Sequence, residues 1–361
     1  MKSPVRRYSY INAKLRARIG SMLDEKKIDA LLRSGSIEEL LQQLRDTSYA
    51  TLASVFDQTG DVQRLEAELF KREVELHKDV AALLDGEHAE LVLALTRKLE
   101  VENLKGVLRL WFSGTVKKQN IDYRFGYLFQ GDIVSSIDWN QIINAPDYQE
   151  VLHALAETPY GPVMAQFDTE QIVAKGVFSL ETALDRCWFH ELRNTVAKLP
   201  GNDRKILSMV LDADTDLKNV INLIRFGWMY RLAAVDLRVL MLEGGSINGS
   251  REFEEYLASD PQLRSPMQLV RRRFPKLAKE LSEQPKTGGS SSVAEQTVRI
   301  ERFLFELRKK EFIAMLGGYP FTIGIVLAYF FLSERQDKMI RALVNGKYYG
   351  WDAQTIRGFA T

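Results

Sequence analysis

One cysteine, Cys187, stands in 361 residues. A lone cysteine cannot form an internal disulfide, so a disulfide framework is excluded and a cytoplasmic compartment is expected. An excess of one charge sign is missing too. Lys and Arg number 49 against 48 Asp and Glu, without the basic surplus of a nucleic-acid-binding domain. Prolines number only 10, so few helices are interrupted. Strand-like alternation is scarce, and residues 121–129 hold its best candidate. The first 20 residues carry charges throughout and no apolar run, so no secretory signal is expected. Long uncharged runs are absent except one, between Glu311 and Glu334.

What is present is helical periodicity. Ile37, Leu40, Leu41 and Leu44 fall on one face at helical spacing, and residues 65–84 repeat the pattern. The fold class expected is all-α. The uncharged run fits that class as a core helix. Gly317, Gly318 and Pro320 interrupt it, leaving about twelve apolar residues from Phe321 to Leu332. A membrane-spanning helix needs roughly 20.

The chain repeats itself. Residues 37–49 (IEELLQQLRDTSY) align without a gap with 148–160 (YQEVLHALAETPY), at an offset of 111. Thr47 and Thr158 match, as do Tyr49 and Tyr160, and the threonines are placed to cap the next helix, with Pro159 at a first-turn position. Residues 102–114 (ENLKGVLRLWFSG) align with 215–227 (TDLKNVINLIRFG), and 334–346 (ERQDKMIRALVNG) gives a third copy. All three close on glycine, Gly114, Gly227 and Gly346, which reads as a helix C-cap. Offsets near 113 exceed the roughly 20–50 residues of a solenoid repeat. Three related helical units are therefore expected, over residues 1–118, 119–230 and 231–361, with the N- and C-terminal helices able to pack together. The polar Gly/Ser stretch at 282–295 reads as a mobile loop in the third unit.

Signatures of chemistry are missing. There is no G-x-x-x-x-G-K-[ST], no G-x-G-x-x-G after a strand and no G-x-S-x-G. No nucleotide, cofactor or metal is expected, and no catalytic residue is assigned. Glu150 and His153 form one Glu-x-x-His, whereas a di-iron bundle needs two with further glutamates. Cys187 and His190 sit three apart, a spacing read as helix packing. Arg6, Arg7, Lys14, Arg16 and Arg18 make one basic segment and Arg271–Arg273 another, each an exposed helix face or a contact for an acidic partner or lipid headgroups. The candidate partner-binding residues are Lys105, Lys218 and Lys338, near the start of the repeated helix, and Arg109, Arg225 and Arg341 farther along it.

These residues match a family. The three helical units, the N-terminal 8–20 (YSYINAKLRARIG), the block 320–350 and the ending 356–359 (IRGF) resemble the C subunit of bacterial and archaeal V/A-type ATPases, related to the d subunit of the vacuolar ATPase. Arg335–Asp337 departs from the usual pattern, and the third unit lacks a clear Thr-x-Tyr. The resemblance implies three helical domains in a pseudo-threefold funnel. It implies a non-catalytic central-stalk adaptor of a rotary motor that passes torque during proton or sodium transport. Its partners would be the shaft subunits D and F and the membrane proteolipid ring, with no nucleic acid and no direct nucleotide. It would lie peripherally on the cytoplasmic face of the membrane. The alternatives are an unrelated soluble helical scaffold and a metal enzyme at Glu150 and His153.

Overall fold

The computed structural model describes residues 3–121, 127–282, 303, 306–307, 309–310 and 312–359. Helices account for the regular structure, and no strand occurs among the described residues, so the fold is all-α. Within 121–129, residues 122–126 lie outside the described set, 127 and 128 are turn and bend, and 129 has no regular structure. The loop expected at 282–295 lies outside the described residues from 283 onward.

Short polar residues start the helices. Asp24 caps α1 (Glu25–Arg33), Ser36 caps α2 (Ile37–Leu44) and Asp61 caps α4 (Val62–Ala81), each accepting a backbone N–H of the first turn. Between the last two runs α3 (Ala50–Thr59), stopped by Gly60 at a left-handed φ of 64°. Helix α5 (Gly86–Trp111) continues into a π-helical turn at Phe112–Val116. Helix α6 (Tyr148–Leu155) is capped by Asp147, and α7 (Phe178–Lys198) follows later.

The chain forms two compact units. The first comprises 1–195 with 319–361. Its core joins Leu31, Leu40, Leu44 and Leu65 to Ile340 and Leu343 of α10 (Gly324–Tyr348), so the C-terminal segment packs into the N-terminal helices. The second, 196–318, holds α8 (Gly201–Asn222) and α9 (Arg251–Ala258), with Leu217, Val220, Phe253 and Val270 at its centre. The uncharged run is split. Residues 312–317 are helical, 318–323 are not, and α10 begins at Gly324. Its first two turns bury Ile325, Val326, Leu327, Ala328, Tyr329 and Phe331, so this is a core helix. Among the described residues no helix is long and apolar enough to cross a membrane.

Two capping expectations are corrected. Thr47 does not cap the next helix. Its hydroxyl donates to Leu44 O at 2.7 Å and accepts Tyr49 N–H at 3.1 Å, bridging the end of α2 to the start of α3. Thr158 does the same with Leu155 O at 2.7 Å and Tyr160 N–H at 3.3 Å. Pro159 lies in this turn, and the proline in the first turn of the following short helix is Pro162. The three repeated glycines are not C-caps either. Each long helix ends in a wider, five-residue hydrogen bond: Lys117 N–H to Phe112 O, Tyr230 N–H to Arg225 O and Trp351 N–H to Gly346 O. The left-handed residue comes later, at Lys118, Arg231 and Gly350, with φ of 54°, 53° and 72°.

What the glycines provide is close approach. A Cβ at Gly227 would collide with the Tyr256 hydroxyl, and one at Gly346 would collide with Ile356 Cγ1. Gly346→Ala therefore sets a helix-propensity gain of about 0.5–1 kcal/mol against an overpacking loss of about 1–3 kcal/mol. The loss should win, because Ile356 is fully buried and has nowhere to retreat. The expected result is a lower urea midpoint, with residues 353–359 cleaved sooner in limited proteolysis.

Candidate functional site

Three buried carboxylates, Glu100, Asp216 and Asp337, tie the long helices to their surroundings. Glu100 on α5 accepts Val134 N–H at 2.7 Å and Ser135 N–H at 2.6 Å through Oε2. Its Oε1 accepts the Ser135 hydroxyl at 2.9 Å and the Tyr160 hydroxyl at 2.7 Å. Asp216 on α8 repeats this on the loop before α9. Its Oδ1 accepts Ser246 N–H at 2.6 Å and Ile247 N–H at 3.1 Å. Its Oδ2 accepts the Ser246 hydroxyl at 2.8 Å and Arg273 Nε at 2.7 Å. One turn on, Asn103 pairs both amide atoms with the Phe129 backbone, and Asn219 does so with Leu242. A loop with so many backbone donors near the core needs such partners.

The third carboxylate closes the chain on itself. Asp337 on α10 accepts the Tyr49 hydroxyl at 2.6 Å and pairs with Arg72 at 2.5 Å. The Arg72 guanidinium lies 4.2 Å from the centre of the Tyr49 ring. Tyr49 and Tyr160, matched in sequence, thus do the same job. Each long helix serves the helical pair that follows it in sequence, and the last helix serves the first pair. Burial is the main force raising the Tyr49 and Tyr160 phenols above their usual range, followed by the charge of the bonded acid.

The acid and amide pairs lie 116 residues apart, three more than in the sequence alignment, whereas the helix-end bonds of Phe112–Lys117 and Arg225–Tyr230 keep its offset of 113. Counted from Asn103 and Asn219, Lys105 falls level with Ile221; counted from the helix ends, it falls level with Lys218. Arg109 and Arg225 do match, each nine residues beyond its acid, while Arg341 is only four beyond Asp337. The six candidate residues meet different fates. Lys105 is buried and bonds Asp185 on α7 at 2.8 Å. Arg109 holds Glu181 with two bonds of 2.6 Å. Lys338 pairs with Glu334 at 3.1 Å on its own helix. Lys218 is half-buried. Arg225 is exposed above the Phe226 ring. Arg341 is half-buried and lines an open cavity of about 460 Å³. The remaining candidates are quiet. Arg273 of the second basic run is tied to Asp216, and Arg272 to Glu252. Glu150 and His153 are both exposed, and no group of metal-ligating side chains forms among the described residues. Burial raises the Cys187 thiol, which points at Pro159 O.

Sequence reasoning missed the three carboxylates. A signal existed for two of them: Glu100-x-x-Asn103 and Asp216-x-x-Asn219 share acid and amide at one spacing. In the third copy Ile340 replaces the asparagine, and the signal is gone.

Polar groups also line the seam between α4, α5 and α10. His77 stacks on Phe330, with ring centres 3.9 Å apart, and lies 3.3 Å from the Thr96 hydroxyl. That hydroxyl already donates to Val92 O, so the ring N–H is the donor to it. Burial pushes His77 down to about 3. Burial, then the charges of Glu334 and Asp337, push Glu73 up to about 7. The two groups act in opposite directions. Glu73 stabilises the fold fully below its ordinary 4.5, and the contribution is lost as pH rises through about 7. His77 contributes above its ordinary 6.5, and that contribution is lost as pH falls toward about 3. Glu73→Gln should therefore gain stability relative to the parent at pH 8 and lose that advantage at pH 5. Urea midpoints at the two values check this; an equal change at both would remove Glu73 as the source.

Comparison with known proteins decides the family. A family model described as ATP synthase (C/AC39) subunit matches residues 11–359. The chain belongs to this family. Among relatives, the A-type ATP synthase C subunit of Haloferax volcanii is 23% identical over 354 residues, covering 96% of this chain and 95% of its own. That of Thermococcus kodakarensis is 23% identical and covers 98% and 90%. The same subunit of Methanosarcina mazei is 23% identical over a shorter match, 66% of this chain and 64% of its own. This C/AC39-family chain is accordingly a subunit of an ATP synthase, and the Tyr49–Asp337 and Tyr160–Glu100 pairs are its internal fastenings.

Proposed function

We propose that this chain is the non-catalytic central-stalk adaptor of a rotary A/V-type ATP synthase. It would receive the tip of the D–F shaft and sit on the membrane proteolipid ring, on the cytoplasmic face, passing torque between them. Three repeats, over 1–118, 119–230 and 231–361, would surround a pseudo-threefold socket. The observation that carries this reading is the family match over residues 11–359. The fastening of the last long helix to the first repeat through Asp337 and Tyr49 supports it physically. An adaptor under torque must not open at its termini, and a buried charge-assisted hydrogen bond with an ion pair resists that. Arg225, exposed with only an aromatic ring beneath it, is the first of the six candidates to offer a partner's carboxylate.

The test is a titration of the purified chain against the D–F complex. It is repeated with Arg109, Arg225 and Arg341 together replaced by alanine. The expected result is tight binding by the parent, weakened by about tenfold or more in the triple variant, the scale of one lost charge-assisted contact. Parent protein that binds neither the shaft complex nor the proteolipid ring would overturn the adaptor reading.

A further inference from the structure

Charge is balanced over the whole chain but not along it. The first 23 residues hold Lys2, Arg6, Arg7, Lys14, Arg16 and Arg18 and no Asp or Glu. Taking these six from the 49 Lys and Arg leaves 43 against 48 acids, so the 338 residues that remain of 361 carry a net charge of −5. Positive charge gathered at one end of a chain suits a polyanion, either a nucleic acid or a membrane surface. The segment forms the helix Pro4–Gly20, whose Tyr8, Ile11 and Leu15 are buried in the first unit. Two of its cations are used internally. Arg18 pairs with Asp79 at 3.0 Å, and Arg7 donates to His88 Nε2 at 3.3 Å. Three others lie on the outer side. Arg6 and Arg16 are exposed, and half-buried Lys14 lies 5.8 Å from the centre of the Tyr10 ring.

The exposed positions follow one another at three- and four-residue steps, so they form one stripe along the 17-residue helix. Between the cations Ser9, Ala13 and Ala17 reach solvent. These small side chains make neither a knob nor a pocket. A protein partner needs a close-packed, desolvated centre, and this face offers it little to pack on. An anionic lipid surface needs no such fit. It attracts each Lys or Arg through its own potential. It also accepts Tyr10, 66% exposed, and Val5, 48% exposed, at headgroup depth, where amphipathic rings collect. A nucleic acid would engage the cations and leave Val5 in water. We propose that the helix Pro4–Gly20 rests directly on anionic phospholipid through Arg6, Lys14 and Arg16, with Tyr10 set among the headgroups. This goes beyond the adaptor reading and needs neither shaft nor ring.

The experiment mixes the full chain with vesicles of equal parts phosphatidylglycerol and phosphatidylcholine, or of phosphatidylcholine alone, and reads the bound fraction by flotation. Binding to the first and not the second is expected, and it should weaken as salt rises. Each cation near an anionic surface contributes about fivefold in partitioning, so Arg6→Gln, Lys14→Gln and Arg16→Gln together should weaken binding by about a hundredfold. Arg204→Gln, Lys205→Gln and Arg271→Gln, at three exposed positions of the second unit, remove the same charge and should leave binding unchanged. A second measurement leaves the cations alone. Ala13→Cys, made with Cys187→Ser, puts the only thiol in the stripe, and a polarity-sensitive dye on it should shift to the blue with the anionic vesicles. No binding by the parent, equal binding to both vesicle types, equal loss in the two triple variants or an unresponsive dye would overturn the proposal. So would tighter binding to a DNA duplex than to the anionic vesicles. Each of these failures leaves the titration against the D–F complex untouched, so the adaptor reading stands or falls separately.

Discussion

Replacing Glu100 with alanine should lower the free energy of unfolding by about 3–5 kcal/mol, the range for removing one partner from a buried charged network. Glu100 is fully buried. Its loss would strand two backbone N–H groups, the Ser135 hydroxyl and the Tyr160 phenol. Hydrogen bonds to a charged group contribute about 1.5–3 kcal/mol each, but they are not additive when one residue makes them all. The Ser135 loop can also relax toward water, which holds the total below the simple sum. Glu100→Gln keeps one carbonyl oxygen but turns an NH2 group toward donors, so it should recover little. Glu100→Asp should recover more, because Asp216 performs the same task in the second unit with the shorter side chain. Chemical denaturation measures the loss, and amide exchange at Val134 and Ser135 should show where it falls. A change below about 1 kcal/mol for Glu100→Ala would mean that the loop is held by its apolar contacts alone.

The helices were legible because their cause is local. Alternation of Ile37, Leu40, Leu41 and Leu44 states which face is buried, and all four are buried. The interrupted run at 317–320 was legible for the same reason, since glycine and proline act on their own backbone. The threonines and glycines stand out in the sequence, but the task expected of them was the wrong one. Thr47 and a capping threonine look alike in sequence, and only the neighbouring carbonyl, Leu44 O, distinguishes them. Gly346 looks like a C-cap until Ile356 arrives against it from a segment that sequence cannot place. Lys105 shows the same limit among the candidate contacts. Its charge is visible in the sequence, but its use depends on Asp185, 80 residues away. Apolar helical patterns match nearly as well one turn out of step, so hydrophobicity alone does not say whether residues level with Glu100 and Asp216 lie 113 or 116 apart. Hydrogen bonds from Glu100, Asn103, Asp216 and Asn219 pair these four positions at 116, while the helix ends pair at 113.

Asp337→Ala should be nearly as damaging as Glu100→Ala, at about 3 kcal/mol, and its effect should fall on the joint between the chain's first and last segments. Asp337 is 3% exposed, and its Oδ2 has no hydrogen-bond partner. Burial raises its carboxyl above the usual range, with the Arg72 charge and the Tyr49 hydroxyl opposing that rise. The environment thus disfavours the charge, and Arg72 offsets part of that penalty. Removing the acid leaves the Arg72 guanidinium unpaired, though its side chain, 20% exposed, can partly rehydrate. This keeps the expected loss at the lower end of the range. Asp337→Asn retains an acceptor for Tyr49 and should lose less, about 1–2 kcal/mol. The sign of its pH dependence follows from the raised carboxyl. A raised native pKa contributes stability at low pH that is lost as pH rises through it, so the asparagine variant should compare best with the parent in alkaline solution. Tyr49→Phe in combination with Asp337→Ala should lose less than the two single changes added, since both remove the same bond. Full additivity would separate Tyr49 from Asp337 energetically. The closure of α10 onto the N-terminal helices would then rest on Ile340 and Leu343 in the shared core, with the carboxylate setting only where that helix stops sliding.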